Sequence, residues 1–222
     1  SLDSHDEVCR LLAVYAKVQV LSIDYPLAPE ANPTKLIQTC EDALAWVYQN
    51  RKQLKILKNR ISVAGDSAGG NISAVVAQRS VNKVHAPQAQ LLLYPAVDFK
   101  SRHPSFHAYK EGLVLTGTDV DFVTHYYAET HQVELDDPII SPTYGKHDKL
   151  APAFVITAGH DVLHDEGEIY AYKLRHRGVK VHYQEYGDQA HGFVNLTPIS
   201  YRAKNYVIEI SKNYRKFWDK HA

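Results

Sequence analysis

"VAGDSAGGN", residues 63–71, sets a serine between two glycines, Gly65 and Gly69, each two positions away. An apolar, β-branched run, "RISVAG" (60–65), leads into it, and a helix-forming stretch from Ala68 to about Val81 follows. A strand that turns sharply into a helix around Gly-x-Ser-x-Gly exposes the serine hydroxyl above the sheet. The helix beneath it contributes partial positive charge and free N–H groups. The Ala68 N–H is the group aimed where an oxyanion would form. The turn lacks G-K-[ST] and G-x-G-x-x-G, which argues against a phosphate loop. Only tiny residues are expected to fit at both Gly65 and Gly69.

Further along the chain the same alternation recurs. "VQVLSIDY" (18–25) reads as a buried strand, and a helix from about Thr34 to Lys52 carries Leu36, Ile37, Ala43, Leu44 and Val47 at helical spacing. Strands are expected at "AQLLLYPAV" (89–97), "AFVITAG" (153–159) and "KVHYQEY" (180–186), with helices at about 165–176 and 199–218. In the last helix Tyr206, Ile210, Tyr214 and Phe217 recur at helical spacing and read as core packing. Strands alternating with helices imply βαβ units and an α/β fold with a mainly parallel central sheet flanked by helices. Residues 1–98 and 150–222 form its core. Residues 99–149 break the rhythm as a helical insertion, with a helix at "LTGTDVDFVTHYYAE" (115–129) capped near Thr118 or Asp119. Leaving from the C-terminal side of the sheet, the insertion is positioned to cover a site there.

A nucleophilic serine needs a base and an acid that orients it. With this turn the order along the chain is serine, acid, histidine, each at the C-terminal end of a strand. "ITAGHDVLHDEG" (156–167) places Asp161 directly after a strand, and "YGDQAHGFVN" (186–195) places His191 in the loop after the last one. Asp165 is read as the N-cap of the following helix, Asp188 as a residue shaping the His191 loop, and His160 as a loop neighbour of Asp161. The candidate triad is therefore Ser67, His191 and Asp161, with Ala68 as an oxyanion donor.

The chain has 222 residues, 45% apolar and 23% charged, with 25 Lys+Arg against 25 Asp+Glu. That is enough for one large domain. The charge balance argues against nucleic acid or an anionic membrane surface as partner. No apolar run nears the ~20 residues of a membrane span, and "SLDSHDEVCR" has no signal-peptide pattern. A cytoplasmic, bacterial protein is the expectation. Cys9 and Cys40 read as free thiols. His160/His164 and His103/His107 have i, i+4 spacing without H-E-x-x-H, so no metal and no cofactor are expected.

These motifs together resemble the hormone-sensitive-lipase-like branch of the α/β-hydrolases, which includes bacterial esterases and plant carboxylesterases. "DYPLAPE" (24–30) is similar to its D-Y-R-L-A-P-E, with Pro26 where Arg is usual. "GDSAGGN" (65–71), "LLYPAVD" (92–98), "LT" (115–116), "AGHDVLHDEG" (158–167) and "HGF" (191–193) follow in family order. The resemblance implies an α/β-hydrolase fold and hydrolysis of short- to medium-chain acyl or aryl esters by a serine carboxylesterase mechanism. It implies that 99–149 contributes to a cap, and it puts Asp66 and Phe193 near the substrate. The family's H-G-G-G loop and the first strands have no counterpart in the 222 residues, so the expectation is a C-terminal portion of a longer protein, with further oxyanion donors upstream of Ser1. Such a portion is expected to fold poorly alone and to be nearly inactive. The partner implied is a small ester; a homodimer is left open. The alternatives are a non-catalytic small-ligand receptor on the same fold, which the presence of His191 disfavours, and an amidase, peptidase or lactone hydrolase.

Overall fold

The computed structural model describes residues 1–57, 60–111 and 114–221. Its strands β1 (Val63–Asp66), β2 (Gln90–Leu93), β3 (Ala153–His160) and β4 (Val181–Ala190) form one sheet in the order β1-β2-β3-β4. Every pairing is parallel, with Val63 opposite Gln90, Gln90 opposite Ala153 and Ala153 opposite Val181. Because the strands run the same way in near register, their C-terminal ends share one edge.

Parallel strands are covered on both faces, and the alternation of side chains shows how. Leu91, Leu93, Phe154 and Ile156 join Val207, Ile210, Tyr214 and Phe217 of α7 (Tyr201–His221) and Val8 and Leu11 of α1 (Leu2–Tyr15) in one cluster. Leu92, Ala153 and Val155 point the other way, to Tyr170, Ala171 and Leu174 of α6 (His164–His176) and Ala74 of α3 (Ala68–Arg79). A third cluster joins α3 to Ile37, Cys40 and Leu44 of α2 (Pro33–Gln49). The apolar spacing in α7 is core packing, as its sequence indicates.

Residues 18–25 are not a buried strand. They run without regular structure, with Val20 40% and Leu21 57% exposed. β-branched composition favours an extended chain, but a strand needs a neighbour to complete its ladder. Among the described residues nothing pairs with the outer edge of β1. Residues 2–15, to which the motifs assign no element, form α1, started by a capping box between Ser1 and Ser4.

In the insertion, α5 (Gly117–His131) begins beside Thr118 and Asp119, as its sequence indicates. The N-cap is Thr116, whose hydroxyl accepts from the Asp119 N–H, while the Asp119 carboxylate accepts from the Thr116 N–H at 2.9 Å. Asp119 is thus the N3 partner of a capping box. A short helix, α4 (Pro104–Tyr109), precedes it and docks on α6. The Ser105 N–H donates to Asp165 Oδ2 at 2.8 Å, and the Ser105 hydroxyl donates to the Val162 carbonyl at 3.1 Å. On the far side, Asn71 Nδ2 donates to the Ile140 carbonyl at 2.6 Å, tying the insertion to α3.

Candidate active site

Ser67 occupies the one-residue turn between β1 and α3, at φ +52° and ψ −116°. A non-glycine residue there costs about 1–3 kcal/mol and persists only when its surroundings hold it. Two backbone bonds do so. The Ser67 N–H donates to the Leu93 carbonyl at 2.9 Å, and its carbonyl accepts from Ala96 at 3.3 Å. The flanking glycines are not equivalent. A Cβ on Gly65 would lie 2.1 Å from the Gly69 carbonyl oxygen, whereas one on Gly69 would meet nothing within 4 Å. The requirement for a small residue beyond the serine falls instead on Gly70, where a Cβ would lie 2.8 Å from Pro95 Cβ. The turn closes by bringing strand backbone onto the first turn of the helix, and Gly69 faces away from that contact.

His191 and Asp161 come to this serine from the ends of β4 and β3. His191 Nε2 lies 2.9 Å from Ser67 Oγ, and His191 Nδ1 lies 2.7 Å from Asp161 Oδ2. A proton on Nδ1 satisfies both bonds: Nδ1–H donates to the carboxylate, and Nε2 accepts from the hydroxyl. Asp161 is 1% exposed, and its other oxygen accepts the Leu163 N–H at 2.9 Å, which fixes the carboxylate plane. Ala68, an exposed residue, is the first of α3, so its N–H has no acceptor within the helix.

The other sequence candidates divide. Asp66 is a partly buried ion-pair partner. Its carboxylate accepts from Tyr94 Oη and Asn195 Nδ2, both at 3.3 Å, and lies 3.0 Å from His5 Nε2. Burial pushes its carboxyl up, but the hydrogen bonds from His5 and Asn195 outweigh that and hold it below the usual carboxylate value. The same bond raises the pKa of His5. Phe193 does not face open space. It is fully buried in the core, edge-on to Tyr94 with centroids 5.5 Å apart, because it sits in a one-turn 3₁₀ helix that folds back onto the sheet. Asp165 is not an N-cap: that position is Leu163, and Asp165 bonds α4 and His164 instead. Asp188 lies on β4, paired outward with Arg202 at 2.6 Å.

Three residues that the motifs do not single out shape the site. Tyr94 lies against the His191 ring, with centroids 4.8 Å apart. Val114, in the insertion, has a methyl 3.8 Å from where a Gly192 Cβ would stand. Glu166 is buried under the loop after β2, where Oε1 accepts the Val97 N–H at 2.7 Å and the Asp98 N–H at 3.2 Å. Burial pushes its carboxyl up to about 8.

Among the described residues, His164, Asp165 and Glu168 each bring one potential metal-ligand atom within 4.8 Å of the others. His164 Nδ1 is already occupied by Asp165 at 2.8 Å. A groove of about 440 Å³ along α5 is lined by His125, Glu129 and Gln132 and contains none of the three residues joined at Ser67. No helix among the described residues is long and apolar enough to cross a membrane.

A family model described as alpha/beta hydrolase fold matches residues 1–195. The carboxylic ester hydrolase LipN of Mycobacterium tuberculosis is 40% identical over 202 residues, covering 88% of this chain and 54% of that protein. An ethyl acetate hydrolase of Pseudomonas putida is 33% identical over 202 residues, covering 90% of this chain and 63% of that protein. The solved structure of a hyperthermophilic esterase from Pyrobaculum calidifontis superimposes with a TM-score of 0.90 at 36% identity, covering 98% of this chain and 70% of that one. The chain thus spans between half and two thirds of the length of those two sequence relatives.

Proposed function

The chain belongs to the alpha/beta hydrolase family, and from that premise we propose that it carries the catalytic centre of a serine carboxylesterase. The observation that carries the reading is the unbroken line from Ser67 Oγ through His191 to Asp161, with gaps of 2.9 and 2.7 Å. Ser67 Oγ attacks the ester carbonyl as its proton passes to His191 Nε2. Asp161 holds the Nδ1–H tautomer and stabilises the imidazolium that forms. The Ala68 N–H, at the positive end of α3, donates to the developing oxyanion. Collapse of the tetrahedral intermediate expels the alcohol, which takes the proton from His191. Water, deprotonated by His191, then attacks the acyl-Ser67 ester and releases the acid. No metal or organic cofactor enters these steps.

Residues 99–149 serve in this reading as cap and pocket wall. Two contacts support it: α4 is bonded to the loop that carries Asp161, and Val114 stands over the glycine next to His191. The substrates proposed are esters with short- to medium-chain acyl or aryl groups, in keeping with the name of the Pseudomonas putida relative.

The test is pre-steady-state hydrolysis of p-nitrophenyl acetate by the natural full-length protein. A burst of one p-nitrophenolate per site is expected, and its loss in Ser67→Ala. A fluorophosphonate label should fall on Ser67. Full turnover by Ser67→Ala would refute the assignment, and a ligand-binding protein with no burst and no label would be a receptor on the same fold.

A further inference from the structure

Tyr94 follows β2 directly, and the hydrolytic steps give it no task. It is one of the largest fully buried side chains, at 1% exposure. Its ring centroid lies 4.8 Å from that of His191, with the planes at 58°, and Phe193 packs edge-on to it at 5.5 Å. Its hydroxyl donates to Asp66 Oδ2 at 3.3 Å, and Asp66 is the residue immediately before Ser67. The Tyr94 backbone sits at φ +35°, a left-handed conformation that a bulky residue adopts only when its neighbours impose it. Its N–H donates to the Ile156 carbonyl at 2.6 Å, while the carbonyl one residue earlier accepts from Ser67. One residue thus touches the base with its ring and the turn of the nucleophile with its hydroxyl.

That juxtaposition answers a mechanical question. Hydrogen bonds at Nδ1 and Nε2 fix the two ends of the His191 imidazole. They leave the tilt of the ring about the line joining those atoms to packing. A ring that tilts points its lone pair away from the serine hydroxyl, and misplacements of about 1 Å cost about 10²-fold in rate. We propose that Tyr94 is a positioning residue: its ring is the wall that sets the tilt of His191, and its hydroxyl, through Asp66, locks that wall to the turn carrying Ser67. The proposal rests on the hydrolytic reading of the site, and the partition of labour between ring and hydroxyl goes beyond it. Asp66, held in addition by His5 and Asn195, is the anchor of the lock.

Two variants of the natural full-length protein separate the parts. Tyr94→Leu removes the wall, and Tyr94→Phe keeps the wall and removes the lock. With p-nitrophenyl acetate, Tyr94→Leu is expected to lose about 10²-fold in kcat at unchanged KM. Tyr94→Phe is expected to lose about fivefold, the effect of one ordinary hydrogen bond, also at unchanged KM. The downfield NMR resonance of the His191 Nδ1–H should broaden in Tyr94→Leu and shift slightly in Tyr94→Phe. A cooperatively folded Tyr94→Leu protein with wild-type kcat overturns the proposal, as do losses that appear in KM rather than kcat. If Tyr94→Leu does not fold, Tyr94→Phe decides: unchanged kcat with an unshifted resonance overturns it. The resonance needs no turnover. A wild-type protein that hydrolyses no ester would therefore refute the hydrolase reading, and the NMR arm would still test the positioning of His191.

Discussion

Replacing Glu166 with Gln makes a buried carboxyl beside the site neutral at every pH. Glu166 is 7% exposed, and its Oε1 accepts two backbone N–H groups from the loop after β2. Desolvation raises its pKa from 4.5 to about 8; the two N–H groups pull it down, and the nearby carboxylates of Asp98 and Asp161 push it up. The sign of the effect on stability follows. Between about 4.5 and about 8 the folded protein keeps a proton that the unfolded chain has released. Folding therefore loses stability as pH rises through that window, and the stability is fully present only below it. At ~1.4 kcal/mol per pH unit, a displacement from 4.5 to about 8 corresponds to about 5 kcal/mol lost across the window. Gln is neutral at every pH and keeps an oxygen that can accept the same two N–H groups. Glu166→Gln should come within about 1 kcal/mol of the wild type near pH 5 and exceed it by several kcal/mol at pH 8.5, about 10 °C in Tm for a chain of this size. Thermal and urea unfolding of both proteins from pH 5 to 9 measures the difference curve, in which every other titrating group cancels. A difference that stays constant with pH would show Glu166 ionised throughout and sink the reasoning.

The glycines of the nucleophile turn offer a paired test. Gly65→Ala should destabilise the protein and cut kcat at least about 10²-fold, because its Cβ would meet the Gly69 carbonyl at 2.1 Å, while Gly69→Ala should leave Tm nearly unchanged. Equal effects on Tm would contradict the geometry of the turn. Asp161→Asn should lower kcat by about 10⁴-fold with little change in KM, since the amide would favour the wrong His191 tautomer. A loss below tenfold would mean that another group orients the imidazole.

The strand-to-helix turn at Ser67, and the placing of Asp161 and His191 just after later strands, are legible because each rests on local chemistry: glycines at fixed offsets, and polar residues at the ends of apolar runs. What failed to show was decided by distant contacts. Residues 18–25 have the composition of a strand, and only a partner could make them one. Conversely, α1 was readable in principle: Val8, Leu11, Leu12 and Tyr15 recur at helical spacing after Ser1, and all four pack on the sheet cluster. The start of α5 is legible to within two or three residues of Thr118 and Asp119, and the capping box then selects Thr116 as its N-cap. The family resemblance puts Phe193 near the substrate. The 3₁₀ turn after Gly192, which has φ +76°, rotates it into the core, and a residue pair in sequence does not disclose that rotation. Tyr94 lies in the stretch "LLYPAVD", but nothing there marks it as touching the site, since its place depends on two side chains that meet it only in the folded sheet.

Ser67 and His191 are separated by 124 positions in the chain, and Asp161 and His191 by 30. Their meeting depends on all four parallel strands being in place, each reached by a crossover rather than a hairpin. Such long loops close late in folding, because their entropy is lost before the contacts that repay it exist. A half-formed sheet would hold helices and buried leucines yet no hydrogen bond from serine to imidazole. During refolding, the helical signal should therefore return before phosphonate reactivity at Ser67, the proposed nucleophile, which would make that reactivity a clock for the completion of the whole sheet.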